Sequence, residues 1–168
     1  AKNNEGYKNL TKIVSIGFTE GFYYKPRVDK ETLEKYHEGI ICCSACLAGE
    51  VPQAILKGNM EEAERVALWF KNVFGEDYYL EVQNNGIKEQ VLVNQKLIEL
   101  SRKLQIPLVA TNDSHYLRKE DAYNHEILLC IQTGKKITDE DRMNFETDEL
   151  YIKSPEEMAD YFSNISYE

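Results

Sequence analysis

Between residues 40 and 111 the chain alternates short apolar runs with longer helical patterns, and that alternation limits its possible folds more than any other feature. The stretch "GIICCSACLAG" holds a short buried-strand candidate at Ile40–Ser44. "NMEEAERVALWFKNVFG" follows, with Ala63, Val66, Ala67, Phe70, Val73 and Phe74 at helical spacing, Asn59 as a cap and Gly75 as a stop. "DYYLEVQ" then sets Tyr78, Leu80 and Val82 against Tyr79, Glu81 and Gln83, and "NNG" closes it as a turn. From Gln90 to Leu104, Val93, Leu97, Leu100 and Leu104 form an apolar stripe that needs a sheet or another helix to cover it. "IPLVAT", Ile106–Thr111, supplies a third strand. Three such alternations with short links predict an α/β fold of parallel strands wrapped by helices, either a doubly wound sheet or a (β/α) barrel.

The flanks carry weaker signals. "GYKNLTKIVSIGFTEGF" predicts a helix with Leu10, Ile13, Val14 and Phe18 as its apolar side, and "YYKPRVDKETLEKYHEG" a proline-containing link and a short helix. Toward the other end, "KEDAYNHEILLCIQTG" predicts a helix stopped by Gly134. It is followed by a polar connection, a short strand "ELYIK", and a helix opened by Ser154 as cap, Pro155 at the first helical position and Glu157 as the capping-box partner.

Composition bounds the class of function. With 168 residues, 42% hydrophobic and 11% aromatic, the chain can bury one substantial core. A formal charge of -9 repels phosphate backbones over most of the surface, and Lys135 and Lys136 read as ordinary solvated charges. Neither a run of about 18 apolar residues nor a basic-then-apolar leader is present, so a cytoplasmic protein is the expectation. Cys42, Cys43, Cys46 and Cys130 allow two disulfides on paper, but three of them crowd into five positions, which suits a reducing compartment better.

In both candidate architectures chemistry gathers at the carboxyl ends of the strands. Asp113 and His115 in "LVATNDSHYL" lie just past their strand, where a carboxylate and an imidazole two residues apart suit a divalent metal. Asn-Asp-Ser is also ordinary turn composition. Cys46 follows its own strand and falls in the loop region where ligands or nucleophiles are presented. Cys43 and Cys46 have the spacing of half a structural zinc site without a second pair, and Cys42 and Cys43 read more simply as small apolar strand residues. A nucleophilic Cys46–His115–Asp113 arrangement is a further alternative with less weight than metal binding. His37 reads as a surface or helix C-terminal residue. His125 is a candidate for supporting a metal ligand from behind, itself oriented by Glu126 or nearby carbonyls, with core or surface packing as the stronger reading.

Taken in series, "GYKNL", "CLAGEV", "LVATNDSHYL", "LLCIQTGK" and "LYIKSPEEM" closely resemble the polymerase and histidinol phosphatase (PHP) domain at the front of the alpha subunit of bacterial DNA polymerase III. The likeness covers essentially all 168 residues. It implies a PHP-type distorted (β/α)7 barrel with a cluster of divalent metals, Zn, Mn or Mg, at one end. The last ligands of the family's set correspond to Cys46, Asp113 and His115, with Cys46 standing where many phosphoesterase relatives use His. The earlier ligands, a His-x-His motif and further His and Glu residues, have no counterpart in this chain. The expectation is therefore a partial PHP domain with an incomplete barrel, about residues 1–148 forming the barrel portion and 149–168 a strand and helix leading toward the palm.

Carried over to function, the resemblance implies a piece of a subunit that performs template-directed DNA synthesis. The PHP domain would serve as a structural platform against thumb and palm, with a proofreading exonuclease subunit as a further partner in some bacteria. DNA would be met through the full-length protein rather than through this chain. The alternative is metal-dependent phosphoester hydrolysis or 3'-5' proofreading by an intact domain, and for the isolated chain neither catalysis nor firm metal binding is expected. An independent small PHP phosphatase is a third reading, weakened by the tail, which resembles the polymerase version.

Overall fold

A computed structural model describes residues 1–145 and 147–163. The expected tail segment 149–168 therefore falls within the described residues only as far as 163. Seven α-helices and three strands occur among them, in the order α1 (Asn4–Thr19), α2 (Lys30–Tyr36), β1 (Cys42–Cys43), α3 (Glu50–Leu56), α4 (Met60–Phe74), β2 (Tyr78–Gln83), α5 (Lys88–Leu104), β3 (Leu108–Thr111), α6 (Ala122–Thr133) and α7 (Pro155–Phe162). The strands form one parallel sheet in the order β1-β2-β3, with Cys42 opposite Tyr78 and Cys43 opposite Tyr79. An α/β class follows. The first strand is shorter than the expected Ile40–Ser44, because it lies at the sheet edge and only two of its residues enter the ladder.

The chain divides into two compact units, Ala1–Glu81 with Lys96–Val109, and Val82–Gln95 with the residues from Ala110 onward. In the first, Tyr78, Leu80, Leu97, Ala63 and Ala67 are fully buried, and the helical stripe of α4 supplies Val66 and Phe74 as well. Complete burial of a leucine side chain stabilises by about 1.5–3 kcal/mol, so Leu80 and Leu97 are among the main contributors. Asn59 caps α4, accepting from the Glu62 N–H at 3.1 Å, and Gly75 ends it at φ +58.

Of the apolar side that the pattern of α1 suggests, only Ile13 is buried. Gly6, Asn9, Ile13 and Gly17 are buried, whereas Leu10, Val14 and Phe18 are exposed. The reason is close backbone approach. A β-carbon on Gly6 would stand 1.8 Å from the Gly39 carbonyl oxygen, and Asn9 Nδ2 donates to the Glu38 carbonyl at 3.0 Å. Small residues let the helix reach the 38–39 turn, and larger apolar ones are turned away from it.

Helix α3 gives no strong periodic signal because it is only seven residues long and contains Pro52. Pro52 sits in the first turn, where a missing N–H costs nothing. In the second unit the expected strand at Glu149–Lys153 reduces to one isolated parallel bridge between Tyr116 and Tyr151, since the chain turns into α7 directly afterwards. That helix starts as its sequence predicts, with Ser154 and Glu157 in a reciprocal capping box and Pro155 at the first position.

Candidate functional site

Strand β3 ends at Thr111 and delivers Asn112, Asp113 and His115 into a loop tied to the segment before α7. His115 and Tyr116 N–H groups both donate to the Leu150 carbonyl, at 2.8 and 3.3 Å, and Asn112 Nδ2 donates to the Tyr151 carbonyl at 3.1 Å. These bonds fix the loop so that His115 Nε2 stands 3.2 Å from Asp113 Oδ1, to which it donates when that nitrogen carries the proton. Both side chains are partly exposed.

An aromatic wall backs the pair. Phe145 lies 4.9 Å from the His115 ring and His125 5.6 Å, while Tyr116 and Phe145 flank His125 at 5.4 and 5.6 Å. Burial, together with the nearby His115, holds the His125 imidazole below its ordinary pKa, although Glu126 pulls it upward. Glu126 itself pairs with Arg142 at 3.3 Å. His125 therefore packs behind His115, and nothing in the residue patterns points to Phe145 beside them.

Cys46 lies in the first unit, on the loop between β1 and α3. Its carbonyl accepts from Gly49 N–H at 2.9 Å, the preceding Ala45 adopts φ +63, and Gln53 Nε2 braces the Leu47 carbonyl at 2.7 Å. Cys46 is exposed, and all four cysteines are free thiols. Burial pushes the Cys42 thiol up to about 12, and burial and Glu81 raise Cys43, so both are held protonated. The Cys43 side chain is partly desolvated by its neighbours but remains exposed overall. His37 is exposed at the end of α2, its Nδ1 2.6 Å from the Glu34 carbonyl oxygen.

A divalent metal needs several donors at once, four in a closed zinc site and six or more around harder cations. Asp113 and His115 supply two, already directed at one another. Asn112 Oδ1, buried and without a donor, is chemistry that a cation or a water would satisfy. Among the described residues, however, no group of three or more His, Cys, Asp or Glu side chains is placed to hold a metal ion. The residues as placed do not make a metal centre by themselves.

Beside this loop lies a second polar cluster that has no clear signal in the sequence. Glu149 accepts from Lys119 Nζ at 2.5 Å and from the Tyr161 hydroxyl, and its backbone carbonyl accepts from Lys153 Nζ. The Lys153 ammonium is buried between the rings of Tyr151 and Tyr161, at 4.3 and 4.8 Å from their centroids. Tyr151 in turn donates to Glu157 at 2.9 Å. The cluster fastens α7 to the segment that holds the His115 loop.

The family model described as PHP domain matches residues 1–85, half of the chain. The chain belongs to the PHP domain family. This PHP chain is 54% identical over 165 residues to the DNA polymerase III subunit alpha of Borreliella burgdorferi, with 98% of the chain aligned. It is 50% identical to that of Treponema pallidum and 46% identical to that of Deinococcus radiodurans, over 96% and 94% of the chain. It spans only 14%, 14% and 12% of the lengths of these three relatives. Asp113, His115 and Glu149 lie beyond the span of the family model but within the stretch shared with the subunits.

Proposed function

We propose that this PHP chain works within the alpha subunit of a bacterial replicative DNA polymerase, a subunit that carries out template-directed DNA synthesis, and that its part there is a structural platform. The observation that carries this reading is the near-complete alignment of the chain, at 46–54% identity, to subunits of that name. In the longer protein the chain's parallel sheet would form part of a distorted (β/α)7 barrel, and the domain would contact the thumb and palm of the same subunit and, in some bacteria, a proofreading exonuclease subunit. The cytoplasm is the compartment in which such a protein would act. The acidic balance suits a domain that mainly meets protein.

Cys46, Asp113 and His115 are then this chain's contribution to a divalent-metal site of Zn, Mn or Mg, with His125 behind His115, and the remaining donors would come from elsewhere in the longer protein. Bound there, a metal would act as a Lewis acid on a phosphate oxygen or lower the pKa of a water. The chain's own residues do two things: Asp113 holds the His115 ring in one orientation, and the Leu150 carbonyl fixes the backbone that presents it. A second reading, metal-dependent phosphoesterase or 3'-5' proofreading exonuclease activity in the longer protein, is favoured by the Asp113–His115 contact and by the orphaned Asn112 Oδ1.

The two readings separate in one assay. The chain is incubated with manganese or zinc, a labelled single-stranded oligonucleotide and a small phosphate ester, beside a full-length alpha subunit. Both readings expect no hydrolysis by the chain alone, so the full-length subunit decides: the platform reading expects no metal-dependent hydrolysis by it, whereas hydrolysis that His115→Ala abolishes would favour the hydrolase.

A further inference from the structure

Residues 7–28 invert the charge balance of the rest of the chain. Within a molecule of formal charge -9, this stretch carries Lys8, Lys12, Lys25 and Arg27 against a single acid, Glu20. It ends in a turn where Phe22, Tyr23 and Tyr24 stand side by side at the surface, 57%, 67% and 83% exposed. Among the described residues nothing covers these three consecutive aromatic rings, each of which leaves most of its area in water.

The turn is hydrogen-bonded at its base. Tyr23 N–H donates to the Lys25 carbonyl at 3.1 Å and Arg27 N–H to the Gly21 carbonyl at 3.2 Å. Gly21 passes so close that a β-carbon there would lie 1.9 Å from the Arg27 carbonyl oxygen. Tyr24 is held at φ +59, a left-handed conformation that a bulky residue rarely adopts, with its side chain thrust outward. The Tyr23 and Tyr24 rings meet edge to face at 4.6 Å, and the Arg27 guanidinium lies 5.7 Å from the Tyr23 centroid. Among the described residues neither Lys25 nor Arg27 takes part in an ion pair.

Aromatic faces interleaved with cations that take part in no ion pair among the described residues suit a flexible polyanion with flat, unpaired rings. We infer that the Phe22–Arg27 turn is a contact site for single-stranded nucleic acid, with Tyr23 and Tyr24 stacking on bases and Lys25 and Arg27 meeting phosphates. Base stacking on tyrosine is tolerant of sequence, and the local positive charge supplies the attraction that the acidic remainder of the chain lacks. The inference stands independently of the polymerase reading and would give this chain a nucleic-acid contact of its own. Tyrosine and arginine also occur at protein interfaces; the two cations without an ion pair among the described residues favour a polyanion.

The test is fluorescence anisotropy of a labelled oligothymidine titrated with the 168-residue chain, with near-ultraviolet circular dichroism to confirm that each variant is folded. Saturable binding at low salt is expected, with log affinity falling against log salt at a slope of about -1.4 for two phosphate contacts. Tyr23→Ala and Tyr24→Ala should each weaken binding by about fivefold or more. Lys25→Ala with Arg27→Ala should flatten the salt slope toward zero, and a duplex of equal length should bind more weakly. Absence of binding at low salt, binding unaltered in both tyrosine variants, or equal affinity for the duplex would each overturn the inference. So would a dimer in sedimentation that Tyr24→Ala dissolves, because the rings would then be covered by a second copy.

Discussion

Gly6 and Gly39 meet so closely that the backbone of α1 rests directly on the turn after α2, with only 1.8 Å between the site of a β-carbon on Gly6 and the Gly39 carbonyl oxygen. Gly39 adopts φ +71, so neither partner of this contact tolerates a side chain. The obstacle is backbone on both sides and cannot rotate away. Gly6→Ala is expected to destabilise the fold by about 1–3 kcal/mol, the usual range for overpacking, even though alanine is the better helix former. Urea unfolding measures this; an unchanged or raised midpoint would show that α1 does not lie against the turn.

The same contact decides which face of α1 is buried, and a pair of truncations reads it out. Ile13→Ala removes a buried side chain and should cost about 2–5 kcal/mol, whereas Val14→Ala, half-exposed and about 100° further round the helix, should stay within about 0.5 kcal/mol. Equal losses at the two positions would mean that the apolar side Leu10–Val14–Phe18 is covered after all.

The Glu149 cluster makes stability depend on acid. Burial alone would raise the Glu149 pKa, but Lys119, the Tyr161 hydroxyl and Lys153 outweigh it and hold the carboxyl below its ordinary value. A carboxylate whose pKa is lower in the folded chain contributes stability that is present above about pH 4.5 and lost as pH falls through the lowered value. Glu149→Gln should therefore weaken the fold at neutral pH, by about 1–3 kcal/mol, and make the stability profile flatter between pH 4.5 and the acid limit. Urea midpoints measured against pH for both proteins check this. Parallel profiles would show that the carboxylate is not held by the cluster.

Some of this architecture is legible in the sequence because the signals are local. Strand β2 has the limits its alternation predicts, Tyr78–Gln83, and α4 begins after Asn59 and ends at Gly75. The Ser154, Pro155 and Glu157 start signal of α7 works because capping needs only residues within one turn. Of the side of α1 that is buried only Ile13 is legible, since two glycines override the rest of the apolar pattern through a contact 33 residues away. Asp113 and His115 meet because they are two positions apart in one loop. Phe145 against His115, and Lys153 between Tyr151 and Tyr161, depend on how separate segments return to the same place, which no spacing rule records.

The most direct test of the central claim is exchange of segments. The stretch of the Borreliella burgdorferi alpha subunit that aligns with this chain is replaced by the chain itself, and primer extension by the purified chimera is measured beside the unaltered subunit. Membership of such a subunit as a platform predicts a soluble chimera that extends primers at a rate within about tenfold of the parent, and one that retains this activity when His115 is changed to Ala. A folded, soluble chimera without primer extension would contradict the account.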